Sequence, residues 1–269
     1  MVCTPRGKLS TPRGKLCIPR EDNAQVMFKQ LRRQLAARRQ ALVWRAVHWG
    51  WREFQRAGMV TAGTPAGRAF REFGQGSIMA FPAGSVYGEH WITVGSGTVI
   101  GALVSISAGL VPGQDLGPEP VLRIGDRCVI GRGSHIVAHA DITIGDDVWT
   151  GPYVYITDQN HGYTDPDTPI GRQWPVNTPV EIGAGTWLGT GAIVLPGARI
   201  GRNVVVAAGS VVRGEVPDYC VVAGVPAKVV RLRTEAGWAR PGATANTDGA
   251  NGDGETSESP QGGPPKAHI

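Results

Sequence analysis

The chain has 269 residues, of which 39 are glycine and only 7% are aromatic, so a large core of aromatic side chains is not expected. Its four cysteines form no CxxC pair, which argues against a disulfide framework or a zinc site and indicates a reducing, cytoplasmic location. With no apolar run of about 20 residues and no secretory signal, the sequence predicts a soluble intracellular protein.

The net charge of +5 is concentrated at the front of the chain. Residues 1–20 carry five basic side chains and no acidic one, and they contain the near-duplicates TPRGKLS and TPRGKLC. We expect residues 1–23 to be a disordered basic segment. Because the rest of the chain is close to neutral, no nucleic-acid partner is expected.

Residues 24–60 predict an amphipathic, basic helix without proline. Its tryptophans, Trp44, Trp49 and Trp51, cluster late, and its eight basic residues face a single acidic one, Glu53. Such a helix can pack along the body of its own protein assembly, or it can lie on an anionic membrane at the inner face. Both interpretations stay open. The apolar residues at roughly helical spacing are Phe28, Leu31, Leu35, Leu42, Trp51 and Phe54.

The region 76–231 repeats an aliphatic residue every six positions. Glycine tends to follow in two of every three hexads, so the full unit has eighteen residues, three flat faces and three corners. A small side chain four residues after each aliphatic one, such as Cys128, marks a second inward position. This pattern predicts an all-β solenoid of short strands with glycine at the corners. The longest uninterrupted run is Ile182, Leu188, Val194, Ile200, Val206 and Val212.

The repeat is interrupted at 111–123 and at 158–181, and insertions in a solenoid project as loops on one face. The second insertion is polar and rich in proline, and it contains His161. A histidine there does not pack in the core, although a surface histidine without function remains an alternative. From 238 to 269 the composition predicts a disordered tail.

Three stretches resemble the hexapeptide-repeat acyltransferase family: the NHGY loop, IGAGTWLGTGAIVLPGARIG and AAGSVVRGEVPDYCVVAGVPAKVVR. The region 76–231 is similar to galactoside- and maltose-type O-acetyltransferases and polysaccharide O-acetyltransferases. The resemblance implies a left-handed parallel β-helix that assembles as a homotrimer. It also implies transfer from acetyl-CoA, or another acyl-CoA, to a hydroxyl of a sugar or glycan-type acceptor. The acyl-CoA is a co-substrate, and neither a permanently bound cofactor nor a metal is implied.

The same resemblance assigns roles to individual residues. His161 corresponds to the general base, and Thr190 takes the oxyanion-stabilising place where the family usually has serine. Further positions match contacts to the donor, with the two basic residues of GVPAKVVR facing its phosphates. The donor-binding candidates are Trp187, Ala208, Gly209, Arg213, Lys228 and Arg231. The acceptor-binding candidates are Asn160, Asp158, Ser134 and His135.

Two alternatives belong to other classes of protein. A γ-class carbonic anhydrase uses similar coils with three histidines on zinc, but its paired histidines are five apart, whereas His135 and His139 are four apart. A non-enzymatic β-helix scaffold, anchored by the basic helix, is the second alternative. A scaffold has no need for His161 and Thr190 at the family's spacing.

Overall fold

The computed structural model describes residues 23–242, and two compact units divide at Ala57 and Gly58. The expectations of disorder for 1–22 and 243–269 lie outside the described residues. The first unit contains one helix, α1 (Asn23–Ala57). Its predicted end at residue 60 is corrected to Ala57, since glycine at 58 is a poor helix former. No helix between residues 23 and 242 is long and apolar enough to span a membrane.

The second unit consists of short strands, most of them two or three residues long. In chain order the strands are β1 (Val60–Thr61), β2 (Glu72–Phe73), β3 (Ile78–Met79), β4 (Val86–Tyr87), β5 (Ile92–Val94), β6 (Val99–Ile100), β7 (Ser105–Ala108), β8 (Leu122–Ile124), β9 (Val129–Ile130), β10 (His135–Ala138), β11 (Ile142–Ile144), β12 (Trp149–Thr150), β13 (Tyr155–Thr157), β14 (Gln159–Asn160), β15 (Val176–Asn177), β16 (Val180–Ile182), β17 (Trp187–Leu188), β18 (Ile193–Val194), β19 (Arg199–Ile200), β20 (Val205–Val206), β21 (Val211–Val212), β22 (Glu215–Val216), β23 (Cys220–Gly224), β24 (Ala227–Thr234) and β25 (Gly237–Ala239).

Successive strands fall in turn on three sheets, which form the three faces of a parallel β-helix. Sheet A runs β1-β3-β6-β9-β12-β17-β20-β23-β24-β25, sheet B runs β2-β5-β8-β11-β16-β19-β22, and sheet C runs β4-β7-β10-β13-β18-β21. The pairing from coil to coil is parallel, so equivalent residues of successive coils lie above one another. The first coil already includes β2, earlier than the predicted start at residue 76.

The core is a stack of aliphatic side chains along the axis of the solenoid. Every aliphatic residue of the six-residue repeat is buried, from Val94 through Val212, which confirms the predicted inward positions. The second inward position is also buried, as Cys128 shows. Burial raises the pKa of the Cys128 thiol, and its amide donates to Thr98 Oγ1, so this cysteine is a packed core residue.

The corners adopt left-handed backbone at stacked positions. In one corner Gly97, Arg127, Asp147, Gly185 and Asn203 all have φ between 51° and 71°. Asp147 accepts two hydrogen bonds of 2.8 Å from Arg127, whose guanidinium lowers the pKa of that carboxyl group. Side chains thus bridge neighbouring coils where glycine is absent.

Antiparallel hairpins depart from the repeat at two places in the chain. At the end of the solenoid, β23 pairs with β24 and β24 with β25, so ordered structure continues to Ala239 and the predicted tail boundary at 238 falls inside a strand. Within the insertion, β14 pairs with β15, and the parallel coils resume at β16. The insertion predicted as a loop over 158–181 is therefore a hairpin held at its base.

Candidate functional site

The insertion is anchored by a buried carboxylate. Asp158 is 0% exposed, and its oxygens accept hydrogen bonds of 2.7–3.1 Å from the amides of His139, Ala140 and Asp141 on the preceding coil. The prediction that Asp158 contacts the acceptor does not hold, because both oxygens are engaged inside the protein. Its role is to fix the start of the hairpin, three residues before His161.

Ser134 is a second correction. Its side chain points into the coil, is 1% exposed and accepts a hydrogen bond from the Val154 amide. It follows the inward phase of the repeat and cannot face an acceptor. His135 is exposed on sheet C, in register between Ser105 and Tyr155. Of this predicted pair, only His135 remains available to bind a ligand.

The hairpin encloses a cleft of about 650 Å³. Asn160 and His161 line it together, and both are exposed. Two aromatic side chains on its wall, Tyr163 and Trp174, are 70% and 85% exposed. The sequence analysis did not select Trp174, and its only signal was a tryptophan in a polar, proline-rich segment. The full lining is Asn160, His161, Gly162, Tyr163, Thr164, Asp165, Thr168, Arg172, Gln173, Trp174, Val176, Thr178 and Pro196.

A second cleft, of about 440 Å³, adjoins the first over sheet C. Asn160, His161 and Pro196 line both clefts, so the imidazole is accessible from two sides. Arg213, a predicted donor contact, lines this second cleft. The structure therefore brings Asn160, His161 and Arg213 together. The full lining is Tyr155, Thr157, Gln159, Asn160, His161, Leu195, Pro196 and Arg213.

The hairpin is braced from within by Gln173. Its amide nitrogen donates to the carbonyls of Asp165 and Thr168, both at 2.8 Å, while its oxygen accepts from the Asp165 amide at 3.2 Å. The Thr168 hydroxyl and the Asp167 amide donate to the Asp165 carboxylate and lower its pKa. These cross-links give the polar insertion a defined shape around the first cleft.

His139 lies below the base of the hairpin and is half-buried. Its Nδ1 lies 3.2 Å from the Gln159 side-chain nitrogen, which can only donate, so Nδ1 accepts and carries no proton. Burial lowers the pKa of His139, and the nearby charge of Asp158 opposes that effect only in part. His139 is thus a neutral histidine that helps to fix β14.

Thr190 occupies the corner between sheets A and C. Its carbonyl accepts a hydrogen bond of 2.9 Å from the Gly209 amide on the next coil, so Thr190, Ala208 and Gly209 lie close together. A Cβ at Gly209, where φ is +68°, would meet no atom within 4 Å, so this corner is open. Below it, a Cβ at Gly151 would lie 2.6 Å from the Thr190 nitrogen.

His161 and Thr190 lie beyond opposite ends of the strands of sheet C. Thr190 precedes β18, the hairpin follows β13, and these strands are parallel neighbours. Thr190 is not among the residues that line either cleft described above. One chain therefore supplies these two predicted catalytic residues at different corners of the same face.

The remaining donor candidates lie on sheet A and its terminal hairpin. Trp187 is in register with Trp149 below and Val205 above, on the outer surface. Lys228 and Arg231 are exposed on β24, and neither lines the two clefts of His161. In the region from 23 to 242, no group of three or more histidine, cysteine, aspartate or glutamate side chains could hold a metal ion.

Two family models match the coils: "Bacterial transferase hexapeptide (six repeats)" over 179–214 and "Hexapeptide repeat of succinyl-transferase" over 121–157. Nodulation protein L of Rhizobium meliloti is 40% identical over 129 residues, which cover 43% of this chain and 68% of that protein. Galactoside O-acetyltransferase of Lactococcus lactis is 42% identical over 96 residues, covering 36% and 45% of the two chains.

A solved N-acyltransferase from Bacillus cereus, in complex with dTDP-4-amino-4,6-dideoxyglucose and coenzyme A, superposes with a TM-score of 0.55 at 17% identity. The match covers 66% of this chain and 91% of that chain, and the fold is the left-handed parallel β-helix predicted from the sequence. The chain spans only 38% to 53% of the length of several other curated relatives. By its coils, its corner sequences and these matches, the chain belongs to the bacterial transferase hexapeptide-repeat family.

Proposed function

We propose that the chain is an acyl-CoA-dependent O-acyltransferase that moves an acyl group, acetyl by default, to a hydroxyl of a sugar or glycan-type acceptor. The observation that carries this proposal is the position of His161, exposed on a braced hairpin between two adjoining clefts. A base there is accessible to an acceptor from one side and a thioester from the other. The chain's family membership supports the same reaction class.

In the proposed mechanism His161 takes the proton of the acceptor hydroxyl as its oxygen attacks the thioester carbonyl. A C–O bond forms, and the carbonyl oxygen becomes an oxyanion, to which the Thr190 hydroxyl donates a hydrogen bond. Collapse of this intermediate breaks the C–S bond, and the imidazolium returns its proton to the leaving thiolate. The products are the ester and free coenzyme A, so no metal or bound cofactor is required.

The donor fits the open corner at Ala208 and Gly209. With no atom within 4 Å of a Cβ at Gly209, an extended pantetheine arm can approach the backbone closely beside Thr190. Lys228 and Arg231 on β24 are the cations proposed for the phosphates, and Trp187 lies on the adjoining face. The related Bacillus cereus enzyme was solved with coenzyme A, which supports this class of co-substrate.

The acceptor fits the first cleft. Tyr163 and Trp174 offer exposed aromatic faces for the apolar side of a sugar ring, and Asn160 and Arg172 offer polar contacts for its hydroxyls. His135 on the open face of sheet C is a further candidate contact. The relative from Lactococcus lactis, a galactoside O-acetyltransferase, supports a sugar-type acceptor.

We further propose a cyclic homotrimer with each site shared by two protomers. Because His161 and Thr190 lie at opposite corners of one chain, a neighbour's Thr190 is needed to complete the site of each His161. Sheet A also carries an outer column of apolar residues in which Trp149 and Trp187 are 58% and 52% exposed. A second copy is the occupant proposed for this column. Its members are Ile78, Val99, Val129, Trp149, Trp187, Val205 and Val221.

We also propose a cytoplasmic location, with α1 as the element for contact at the inner face of a membrane. The use of acyl-CoA and the two free, buried cysteines among the described residues support a reducing compartment. The reaction is tested by thiol release from acetyl-CoA with a panel of sugar and glycolipid acceptors. We expect acceptor-dependent release that falls about 10²-fold or more in His161→Ala, since a general base contributes that much. The control His90→Ala changes an exposed histidine outside both clefts and should retain full activity.

Three outcomes are informative. Loss of release with coenzyme A binding retained supports His161 as the base. Unchanged release in His161→Ala removes this residue from the mechanism while leaving the reaction class. Absence of both release and coenzyme A binding in the wild type overturns the enzyme and favours a β-helix scaffold.

A further inference from the structure

The second half of α1 has two distinct faces. At about 100° per residue, Val43, Val47 and Trp51 fall on one side of the helix, and Trp44 lies beside them. Arg45 and three other arginines fall on roughly the opposite side. The arginines of that face are Arg38, Arg45, Arg52 and Arg56. From Val43 to Arg56 the helix is therefore amphipathic, with Val43, Val47, Trp44 and Trp51 opposite the arginines; Trp49 lies on the arginine side, and Arg39, one turn before Val43, lies on the apolar side.

The apolar side of this segment is open. Trp44 and Trp51 are 60% and 53% exposed, and both valines are exposed as well, whereas Trp49 falls on the arginine side of the helix. Contiguous apolar surface of this kind marks an interaction site in a soluble protein. Tryptophan combines a large apolar ring with a polar N–H group, which suits the boundary between water and hydrocarbon.

The charge of α1 indicates which kind of partner can cover its exposed apolar side. The helix carries eight basic residues and one acidic residue, and residues 1–20 add five basic and no acidic residues. A second copy of α1 would bring charges of the same sign together. A surface of anionic phosphates complements them, and each basic residue near such a surface adds to the electrostatic attraction.

We propose that α1 binds in the plane of an anionic lipid bilayer. Val43, Val47 and Trp51 enter the boundary of the acyl chains, and the arginines of the opposite face remain among the headgroups and water. Since α1 is not apolar enough to cross the bilayer, the contact is peripheral and reversible. This inference does not depend on the proposed acyl transfer, because no residue of α1 lines the clefts of His161.

The test is co-sedimentation of the full chain with vesicles of phosphatidylcholine alone or mixed with phosphatidylglycerol. We expect binding to the mixed vesicles, weakened by high salt, and little binding to phosphatidylcholine alone. The double variant Trp44→Ala, Trp51→Ala should lose about tenfold or more in affinity for the mixed vesicles. Trp174→Ala is the control, because it removes an even more exposed tryptophan outside α1 and should bind the vesicles as the wild type does.

The variants are first compared with the wild type by circular dichroism and size-exclusion chromatography. Equal binding of the α1 variant and the wild type overturns the proposal, as does equal binding to both kinds of vesicle. If the α1 variant instead changes the oligomeric state and the wild type does not sediment, α1 docks on another copy of the chain. Thiol release in the absence of vesicles should be the same in the α1 variant and the wild type.

Discussion

The side chains around Asp158 show how one buried carboxylate fixes the base of the site. It accepts hydrogen bonds from three backbone amides of the preceding coil, including that of His139. Asp158 lies three residues before His161 in the chain. His139 in turn accepts a hydrogen bond from Gln159 on the first strand of the hairpin. The position of the proposed base therefore depends on His139 and on the buried carboxyl group of Asp158, neither of which lines the clefts of His161.

His139 makes stability depend on pH. Burial lowers its folded pKa below the ordinary value near 6.5, so the unfolded chain binds a proton first as the pH falls. The charge of Asp158 opposes this effect only in part. The contribution of His139 is complete above its ordinary pKa, and stability is lost as the pH falls from there towards the folded pKa.

We therefore expect the wild type to lose more in thermal midpoint between pH 7.5 and 5 than His139→Gln, which cannot be protonated. His90→Gln, at an exposed position, should follow the wild type. An identical pH dependence in wild type and His139→Gln would show that the protonation of His139 is not coupled to folding. Thermal melts at several pH values measure the difference directly.

Whether the sequence could predict the position of a residue depends on how far along the chain the contacts that fix it lie. Ser134 could have been assigned to the interior, since it stands four residues after Ile130 in the inward phase of the repeat. The burial of Asp158 depends on amides seventeen to nineteen residues away, and no local pattern reports it. His161 was selected by resemblance and lines two clefts, and its role as the base stays a prediction.

At the scale of elements, the hexapeptide period predicted the coils because each inward side chain repeats at a fixed spacing. The hairpin within the insertion escaped prediction for a physical reason. Pairing of β14 with β15 joins residues that are sixteen and eighteen positions apart in the chain, and the segment between them is rich in proline and polar residues. Its shape depends on Gln173, whose hydrogen bonds have no signature in the sequence. The cleft walls, including Trp174, were missed with it.

Corner glycines give a prediction at this scale. A Cβ at Gly151 would lie 2.6 Å from the Thr190 nitrogen and 2.9 Å from its Oγ1, so Gly151→Ala must displace the corner that carries the proposed oxyanion donor. Overpacking of this kind costs about 1–3 kcal/mol of stability. A shift of the donor should also lower kcat for thiol release, by about tenfold or more.

The measurement pairs thermal melts with kcat in the same preparations. Gly63→Ala is the matched control, because a Cβ there meets nothing within 4 Å, and it should leave both quantities unchanged. If Gly151→Ala lowers the thermal midpoint and kcat stays at the wild-type value, the position of Thr190 does not matter to the reaction.

At the scale of the whole molecule, the six-residue period predicted the three-faced coil, whereas the homotrimer was implied only by the family resemblance and the period says nothing about which faces meet. The outer column of sheet A emerges only when the strands are in register, since its residues lie 16 to 38 positions apart in the chain. The separation of His161 from Thr190 likewise follows from the strand directions. We therefore infer that the His161 and the Thr190 of one chain belong to two different active sites.

A mixture of two inactive variants tests this arrangement. His161→Ala removes the base and Thr190→Ala removes the oxyanion donor, so each homotrimer should be impaired about 10²-fold or more. In a mixed trimer, the one interface that pairs an intact His161 with an intact Thr190 from its neighbour regains a complete site. Equal, random mixing gives both variants in about three quarters of the trimers, each with one complete site of three. Co-expression should therefore restore about a quarter of wild-type thiol release. If both residues act within one chain, no mixture can exceed the activity of the separate variants, and light scattering of the same samples shows whether mixed trimers formed.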